Sequence, residues 1–291
     1  MHYIIVNQTK LTPKTRIKLA KAEAVFKAAQ IPYEIRQTEY KGHAGEITRE
    51  LTSSGEEVCI VAVGGDGTLH EILNGIVDFE KTSLALIPLG TGNDFAKTAG
   101  IPKLAKKAAT LIAQKQPKYV DFIELTSGVR SINAVGMGID VDVLKRVYSG
   151  KSKRKSKYLH ALIVSLAKFK SYNFTVKYNG KEEEHFGLIC GLGNGKQFGG
   201  GIKLFPDAEI SDGYIDLVIA DYFTKRQTIG AFLKLMRGKI NKVKQITAVK
   251  VKEAEFIFHG KNMTIQADGE LYENTPLTAH IVENKLKFYL P

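Results

Sequence analysis

The stretch "IVAVGGDGTLHEILNG" at residues 60–75 decides the fold of the first half of the chain. Four apolar residues lead into two glycines, and Asp66, Gly67 and Thr68 then open an amphipathic run. This pattern predicts a buried strand that passes directly into a helix. Glycines let the backbone approach a ligand closely, and a helix N-terminus favours anions, so the turn suits a phosphate group. A turn that serves only tight packing is the alternative.

A second turn of the same kind lies in "LIPLGTGNDFA" at residues 86–96, where Gly90, Thr91 and Gly92 separate an apolar strand from a helix. The carboxyl ends of parallel strands meet at one edge of a sheet, and ligands bind there at the point where the strand order reverses. Two such turns favour a binding site over packing alone.

The two halves of the chain differ in their patterns. Strand and helix signals alternate over the first part, as in a doubly wound, mostly parallel sheet. Strand-like segments such as "SINAVGMGI" at 131–139 dominate the rest and predict a mainly antiparallel, β-rich region, with a hairpin at Asn179-Gly180. We therefore predict an α/β protein of two domains. The predicted domain ranges are 1–124 and 125–291.

The charge balance favours anionic partners. The formal net charge is +12, which suits nucleotides or an anionic membrane surface. One dense basic cluster, "SGKSKRKSK" at 149–157, lacks interleaved aromatic residues, so we expect no nucleic-acid binding. The cluster precedes an amphipathic helix and could dock on anionic lipid or form a solvated loop. Without a leader pattern or a long apolar run, the sequence predicts a cytoplasmic protein that could touch a membrane only from its surface.

Five motifs, in the same order along the chain, resemble the diacylglycerol kinase catalytic family, the soluble bacterial lipid kinases related to sphingosine kinases. Two are the glycine turns described above. The others are "QTEYKGHA" at 37–44, "NGKQFGGGIKLFPDAEISDGYIDL" at 194–217 and "QADGE" at 266–270. Together they cover most of the chain. NAD kinases share only the "GGDGT" motif and the general fold.

The resemblance implies an ATP-dependent lipid kinase whose favoured acceptor is diacylglycerol. It also implies a nucleotide-binding cleft between the domains. In the first loop, "VNQTKL", Asn7 agrees with the family pattern, but Gln8 and Leu11 stand where the family has Pro and Gly. The contribution of this loop therefore stays open. The nucleotide-binding residues that the resemblance implies are Asn7, Thr38, Gly65, Asp66, Gly67, Thr68, Glu71 and Thr91.

Two carboxylates are the catalytic candidates. The resemblance favours Glu270 as the base that takes the hydroxyl proton and Asp66 as the organiser of Mg²⁺ and the phosphates. In the sphingosine-kinase relatives, however, the residue equivalent to Asp66 is given the role of the base. It also implies a structural Mg²⁺ held by the Asp212 side chain and by backbone oxygens of Glu209 and Tyr214. From spacing alone, an ordinary Asp-Gly turn is the better explanation of the segment around Asp212, and a hairpin turn is an open alternative for the segment around Glu270.

Other functions stay open from the sequence. A kinase of the same fold could act on another lipid or on a soluble acceptor such as NAD, and Asn93-Asp94 offers weak support for NAD. A nucleotide-binding regulatory protein without transfer activity is a further alternative, and a homodimer is left open as an assembly.

Overall fold

The computed structural model describes residues 1–7, 11–149, 156–260 and 263–291. The chain divides into two compact units, one of Met1–Asp121 with Glu283–Pro291 and the other of Phe122–Val282. The predicted domain ranges assign the whole C-terminal segment to the second domain, whereas here its end belongs to the first unit. The alternation within a strand does not specify its partner, so the sequence offered no signal for this return.

The first unit is built on a parallel sheet. Its strands run in the order β2-β1-β3-β4, and each neighbouring pair is parallel. This is the order of a doubly wound sheet, and it reverses between β1 and β3. The strands are β1 (His2–Asn7), β2 (Tyr33–Thr38), β3 (Val58–Gly64) and β4 (Thr82–Pro88). The helices are α1 (Pro13–Ala28), α2 (His43–Thr52), α3 (Asp66–Gly75), α4 (Asp94–Thr98) and α5 (Ala105–Gln114).

The second unit is mainly antiparallel. Its longest strand, β9, pairs with three others, and the Asn179-Gly180 hairpin joins β8 to β9 with φ of 48° and 73° at its two residues. The strands are β5 (Lys118–Leu125), β6 (Arg130–Ser131), β7 (Ala134–Gly138), β8 (Tyr172–Tyr178), β9 (Lys181–Gly193), β10 (Ile215–Asp221), β11 (Ile246–Val251), β12 (Glu253–Phe258), β13 (Thr264–Ala267), β14 (Glu270–Glu273) and β15 (Leu277–Phe288). The division between the units falls inside β5 and β15. The predicted fold class, parallel α/β followed by antiparallel β, is confirmed.

Within the described residues of the second unit, three α-helices accompany the strands, and a short 3-10 helix covers Ile240–Lys242. The α-helices are α6 (Ile139–Ser149), α7 (Ser156–Lys168) and α8 (Lys225–Met236). Helix α6 replaces the end of the strand predicted over 131–139. The strand stops at Gly138, whose φ of 118° favours glycine and where a Cβ would lie 2.3 Å from the Leu188 carbonyl oxygen. The valines that follow resemble a strand in composition, which is why the sequence did not reveal this helix. Within the described residues, no helix is both long and apolar enough to span a membrane.

In the first unit, α2 and α3 cross at two glycines. A Cβ at Gly75 would lie 2.3 Å from the Gly45 carbonyl oxygen and 2.9 Å from Thr48 Cβ. These distances are too short for any side chain, so the crossing depends on Gly75. Helix α3 begins at the glycine turn, and this packing therefore helps to position the turn.

We predict that Gly75→Ala destabilises the protein by about 1–3 kcal/mol, because the added methyl forces two packed helices apart. Urea unfolding measures the loss. Gly230→Ala is the matched control: Gly230 lies in α8 with nothing within 4 Å of a Cβ. The control should be neutral or stabilising by up to about 1 kcal/mol, since alanine favours helix. Equal effects of the two substitutions would show that the crossing is not tight.

Candidate functional site

The carboxyl ends of the parallel strands lie in a row at one edge of the first sheet. Asn7 at the end of β1 is in register with Thr38 at the end of β2, and Gly64 at the end of β3 is in register with Pro88 at the end of β4. Both glycine turns therefore leave the sheet at the edge that also carries Asn7 and Thr38. The reversal of strand order between β1 and β3 makes this edge the expected ligand site of the fold.

The two glycine turns touch each other through their backbones. The N–H groups of Leu89 and Gly90 donate to the Gly64 carbonyl oxygen at 2.8 and 2.9 Å. A Cβ at Gly90 would lie 2.3 Å from the Cα of Gly65. Only glycine allows this approach, so the turns after β3 and β4 form one continuous structure.

Asp66 fastens the second turn to the first. Its Oδ1 accepts hydrogen bonds from the backbone N–H groups of Asp94 at 2.8 Å and Phe95 at 3.3 Å, at the start of α4. Its Oδ2 faces Gly92, where a Cβ would lie 2.8 Å away. The carboxylate among the glycines therefore has a positioning role that the sequence did not reveal. Its predicted roles toward Mg²⁺ and the acceptor proton stay predictions.

The other predicted nucleotide-binding residues divide by exposure. Thr91 is exposed. Thr38 and Thr68 are buried, and Thr68 packs so closely on Gly64 that a Cβ there would lie 2.4 Å from its Oγ1. Glu71 accepts a hydrogen bond from the Ala44 N–H at 3.3 Å. These contacts give the side chains of Thr68 and Glu71 structural roles, and their predicted contacts with a nucleotide stay predictions.

The start of α3 suits an anion. Its N-cap is Gly65, and no side chain among the described residues caps this end of the helix through a hydrogen bond. The helix is ten residues long, and the partial positive charge of its N-terminus faces the glycine turn. These features fit the phosphates of a nucleotide. Gln8–Lys10 of the first loop lie outside the described residues.

In the second unit, the "QADGE" motif forms a tight hairpin between β13 and β14. Asp268 and Gly269 have φ of 50° and 91°, as in a type I′ turn, and Ala267 pairs with Glu270. The Asp268 carboxylate binds the segment that leads into β7. Its donors are Ser131 Oγ at 2.6 Å and the N–H groups of Ile132 at 3.0 Å, Asn133 at 2.9 Å and Ala134 at 3.1 Å.

Glu270 is the first residue of β14 and is half-buried. The Tyr148 hydroxyl donates to the carbonyl oxygen of Gly269 next to it. Burial and then the negative charge of Glu270 raise the pKa of Tyr148 above its usual range. The hairpin anchored by Asp268 therefore fixes the backbone of Glu270 beside Tyr148.

Asp140, in the first turn of α6, is a candidate that the sequence did not reveal. Its carboxylate is buried, and neither oxygen has a hydrogen-bond partner of good geometry among the described residues. Burial raises the pKa of Asp140 to about 7, although the Val141 N–H and the Gln266 amide partly oppose this. A Cβ at Gly136 would lie 2.3 Å from Asp140 Oδ2, so the absence of a side chain at Gly136 makes room for the carboxylate. Gly136 was therefore the one feature of the sequence that could have pointed to Asp140.

Asp140 lines a cavity of about 80 Å³ in the second unit. The other walls are almost entirely apolar and come from α6, α7, α8 and the neighbouring strands. Representative lining residues are Val143, Leu162, Leu188, Phe198, Phe223 and Leu235. The surface of the cavity is thus apolar, while the Asp140 carboxylate oxygens are themselves buried.

The predicted structural Mg²⁺ site has a different arrangement. Asp212 Oδ1 accepts from the Tyr214 N–H at 3.1 Å, and its Oδ2 accepts from Lys250 Nζ at 2.7 Å. Lys250 also donates to Asp216 at 2.9 Å, and Glu209 is exposed. Burial alone would lower the pKa of Lys250, but its two carboxylate partners raise it. Across the described part of the chain, no group of three or more His, Cys, Asp and Glu side chains could hold a metal. The predicted ligands at Glu209 and Tyr214 are backbone oxygens, and the Mg²⁺ site stays a prediction.

The sequence matches the profiles of two families. One is described as "Diacylglycerol kinase catalytic domain" and matches residues 2–125. The other is described as "YegS C-terminal NAD kinase beta sandwich-like domain" and matches residues 133–290. The second of these matches covers more than half of the chain, and the chain belongs to the YegS-like lipid kinase family. Its N-terminal part matches the diacylglycerol kinase catalytic-domain model.

Known relatives of this family member cover nearly the whole chain. A "Probable lipid kinase YegS-like" protein of Stenotrophomonas maltophilia (strain K279a) is 29% identical over 94% of this chain and 92% of its own length. One of Pseudomonas aeruginosa is 30% identical over 88% of this chain and 84% of its own length. A solved structure described as a candidate diacylglycerol kinase from Bacillus anthracis str. Sterne has a TM-score of 0.81 and 25% identity, and covers 100% of this chain and 97% of its own.

We predict that Asp140→Asn stabilises the folded protein at pH 8 much more than at pH 5. The Asp140 carboxyl has a pKa of about 7 in the folded chain and about 4 when unfolded, so stability falls as the pH rises between these values. The cost in the wild type above that range is up to about 4 kcal/mol. Urea unfolding of both proteins across this range measures it. A difference that does not change with pH would contradict the assignment.

Proposed function

We propose that the chain is an ATP-dependent lipid kinase that transfers the γ-phosphate of ATP to a lipid hydroxyl. Diacylglycerol is the favoured acceptor. The observation that carries the proposal is the pair of glycine turns that Asp66 joins at the carboxyl edge of the parallel sheet. Phosphoryl transfer depends mainly on positioning and charge stabilisation, and rigid turns of this kind supply positioning. The family membership and the names of the relatives support the lipid acceptor.

In this proposal the nucleotide phosphates lie against the glycine turns. The uncapped start of α3 and the exposed Thr91 provide N–H and hydroxyl donors, while Asn7 and Thr38 mark the neighbouring strand ends. Asp66 keeps the second turn in place. Mg²⁺ bound with ATP would reduce the repulsion between the phosphates and the Asp66 carboxylate.

Glu270 is the proposed proton acceptor. The lipid hydroxyl oxygen forms the new bond to the γ-phosphorus, the bond from that phosphorus to the bridging oxygen of ADP breaks, and the hydroxyl proton passes to Glu270. The Asp268-Gly269 hairpin supports this role because it fixes the backbone of Glu270. A base must be held within hydrogen-bond reach of the proton that it removes.

The apolar cavity of the second unit supports a lipid acceptor. Its apolar walls suit an acyl chain. A cytoplasmic enzyme with such a substrate must meet it at a membrane, so the proposal includes contact with an anionic lipid surface. The basic residues at 150–155 expected to make this contact lie outside the described residues.

NAD is the less favoured acceptor. A solved NAD kinase from Archaeoglobus fulgidus in complex with ATP shares the fold, with a TM-score of 0.54 and 13% identity, and covers 99% of this chain and 93% of its own. Asp94 is buried and paired with Lys97, and the Asn93 amide donates to Gly90. Because both side chains bind nearby residues, they give little support for recognition of a ribose. A homodimer and a regulatory protein without transfer activity stay predictions.

The acceptor can be identified with radiolabelled ATP. We expect the purified chain with Mg²⁺ to label diacylglycerol in mixed vesicles that contain anionic lipid. Parallel reactions contain monoacylglycerol, sphingosine, a ceramide or NAD. Transfer to another lipid would correct the acceptor alone. Transfer to NAD alone, or to none of these, would overturn the lipid-kinase proposal.

We predict that Glu270→Gln lowers kcat by at least about 100-fold, because the amide cannot take the hydroxyl proton. Glu273→Gln is the matched control at the exposed end of the same strand and should keep near-normal activity. Equal unfolding midpoints of the two variants would exclude a folding defect. Full activity of Glu270→Gln would assign the base elsewhere, with Asp66 as the next candidate.

A further inference from the structure

We propose that Lys250 is the resident cation of the second unit and takes the place of the structural Mg²⁺ implied at Asp212. The Lys250 ammonium lies 2.7 Å from Asp212 Oδ2 and 2.9 Å from Asp216 Oδ2. It thus joins the turn before β10 to β10 itself. The proposal does not depend on the proposed kinase activity, because it concerns what holds this part of the fold together.

The strand register places Lys250 at this position. Asp216 on β10 and Lys250 on β11 are directly opposite in an antiparallel ladder, so their side chains share one face of the sheet. The Asn179 amide also donates to the Lys250 carbonyl oxygen at 3.1 Å. The backbone of Lys250 is therefore held from both sides, and its side chain has a short path to both carboxylates.

The surrounding charges disfavour a divalent cation while Lys250 is present. Mg²⁺ requires near-octahedral oxygen ligands at short distances. Here Asp212 Oδ1 already accepts from the Tyr214 N–H, and Oδ2 accepts from the Lys250 ammonium. A second ammonium, that of Lys252, lies 5.5 Å from the centroid of the Tyr214 ring. An ion on Asp212 would have to displace one cation and lie near another.

The carboxylates also explain what loss of Lys250 would do. Burial, and then the charges of Asp212 and Asp207, raise the pKa of Asp216 against the opposing effect of Lys250. The Asp207 carboxylate also accepts a hydrogen bond from the Asn241 amide. Without the ammonium, Asp207, Asp212 and Asp216 would leave a local excess of negative charge. That excess would destabilise this turn and would favour a divalent cation.

Thermal unfolding of the full chain, without ATP or lipid, tests the proposal. Wild type is compared in EDTA and in millimolar Mg²⁺ or Ca²⁺ at constant ionic strength. We expect its Tm to change by less than about 1 °C, since a cation that does not bind cannot stabilise. A rise of several degrees that Asp212→Asn abolishes would overturn the proposal.

Substitution of Lys250 supplies the second half of the test. Lys250→Met keeps the aliphatic stem and should lower Tm in EDTA by about 2–5 °C, with part of the loss recovered by Mg²⁺ or Ca²⁺. Lys250→Arg keeps the cation and should need no metal, which covers the case in which the methionine variant does not fold. Lys252→Met, an exposed neighbour, is the matched control and should show no metal dependence. A methionine variant that unfolds like wild type, with no response to metal, would overturn the proposal.

Discussion

The hydrogen bonds from the start of α4 to Asp66 join the two glycine turns of the first unit. Glycine gives the turns after β3 and β4 room to touch, but room alone leaves them free to move. The Asp66 carboxylate binds two backbone N–H groups of the second turn, at 2.8 and 3.3 Å, and removes that freedom. Hydrogen bonds to a charged group are worth about 1.5–3 kcal/mol each. The acidic residue that looked unsuited to a phosphate turn is thus what holds the turn together.

The second unit uses the same chemistry at another Asp-Gly turn. The Asp268 carboxylate accepts from Ser131 and from three consecutive backbone N–H groups, and so ties the β13–β14 hairpin to the chain before β7. Asp66 and Asp268 both lie in motifs whose pattern predicts a catalytic or binding role. In both residues, carboxylate oxygens accept hydrogen bonds from backbone N–H groups. Substitution of Asp66 would also change the glycine turns, and substitution of Asp268 would also change the fold around Glu270. Loss of activity in either variant would therefore not by itself identify a catalytic group.

The sequence predicted the features that depend on local pattern. The buried strands before both turns, the glycines between strand and helix, and the Asn179-Gly180 hairpin follow from hydrophobic periodicity and backbone preference. Features that depend on distant partners were missed. Lys250 is the example, because its position opposite Asp216 depends on the β10–β11 register. Asp140 is a different case: it lies four residues after Gly136, and the change from strand to helix at Gly138, which the sequence pattern did not predict, brings the two together.

Lys250 illustrates that residues matching a metal-binding motif can have a different partner: in the proposed arrangement Asp212 binds an ammonium group and not Mg²⁺. Asp212, Gly213 and Tyr214 match the family pattern, and the Asx turn from Asp212 Oδ1 to the Tyr214 N–H needs no metal. In the proposed arrangement, the cation beside Asp212 is the Lys250 ammonium on the facing strand. An ammonium on a fixed strand is always present at full occupancy, whereas Mg²⁺ must lose water and bind at the concentration available. Because the ladder sets the position of the lysine, Asp212 gains a cationic partner as soon as β10 and β11 pair. The stability of the turn before β10 then does not depend on the supply of ions.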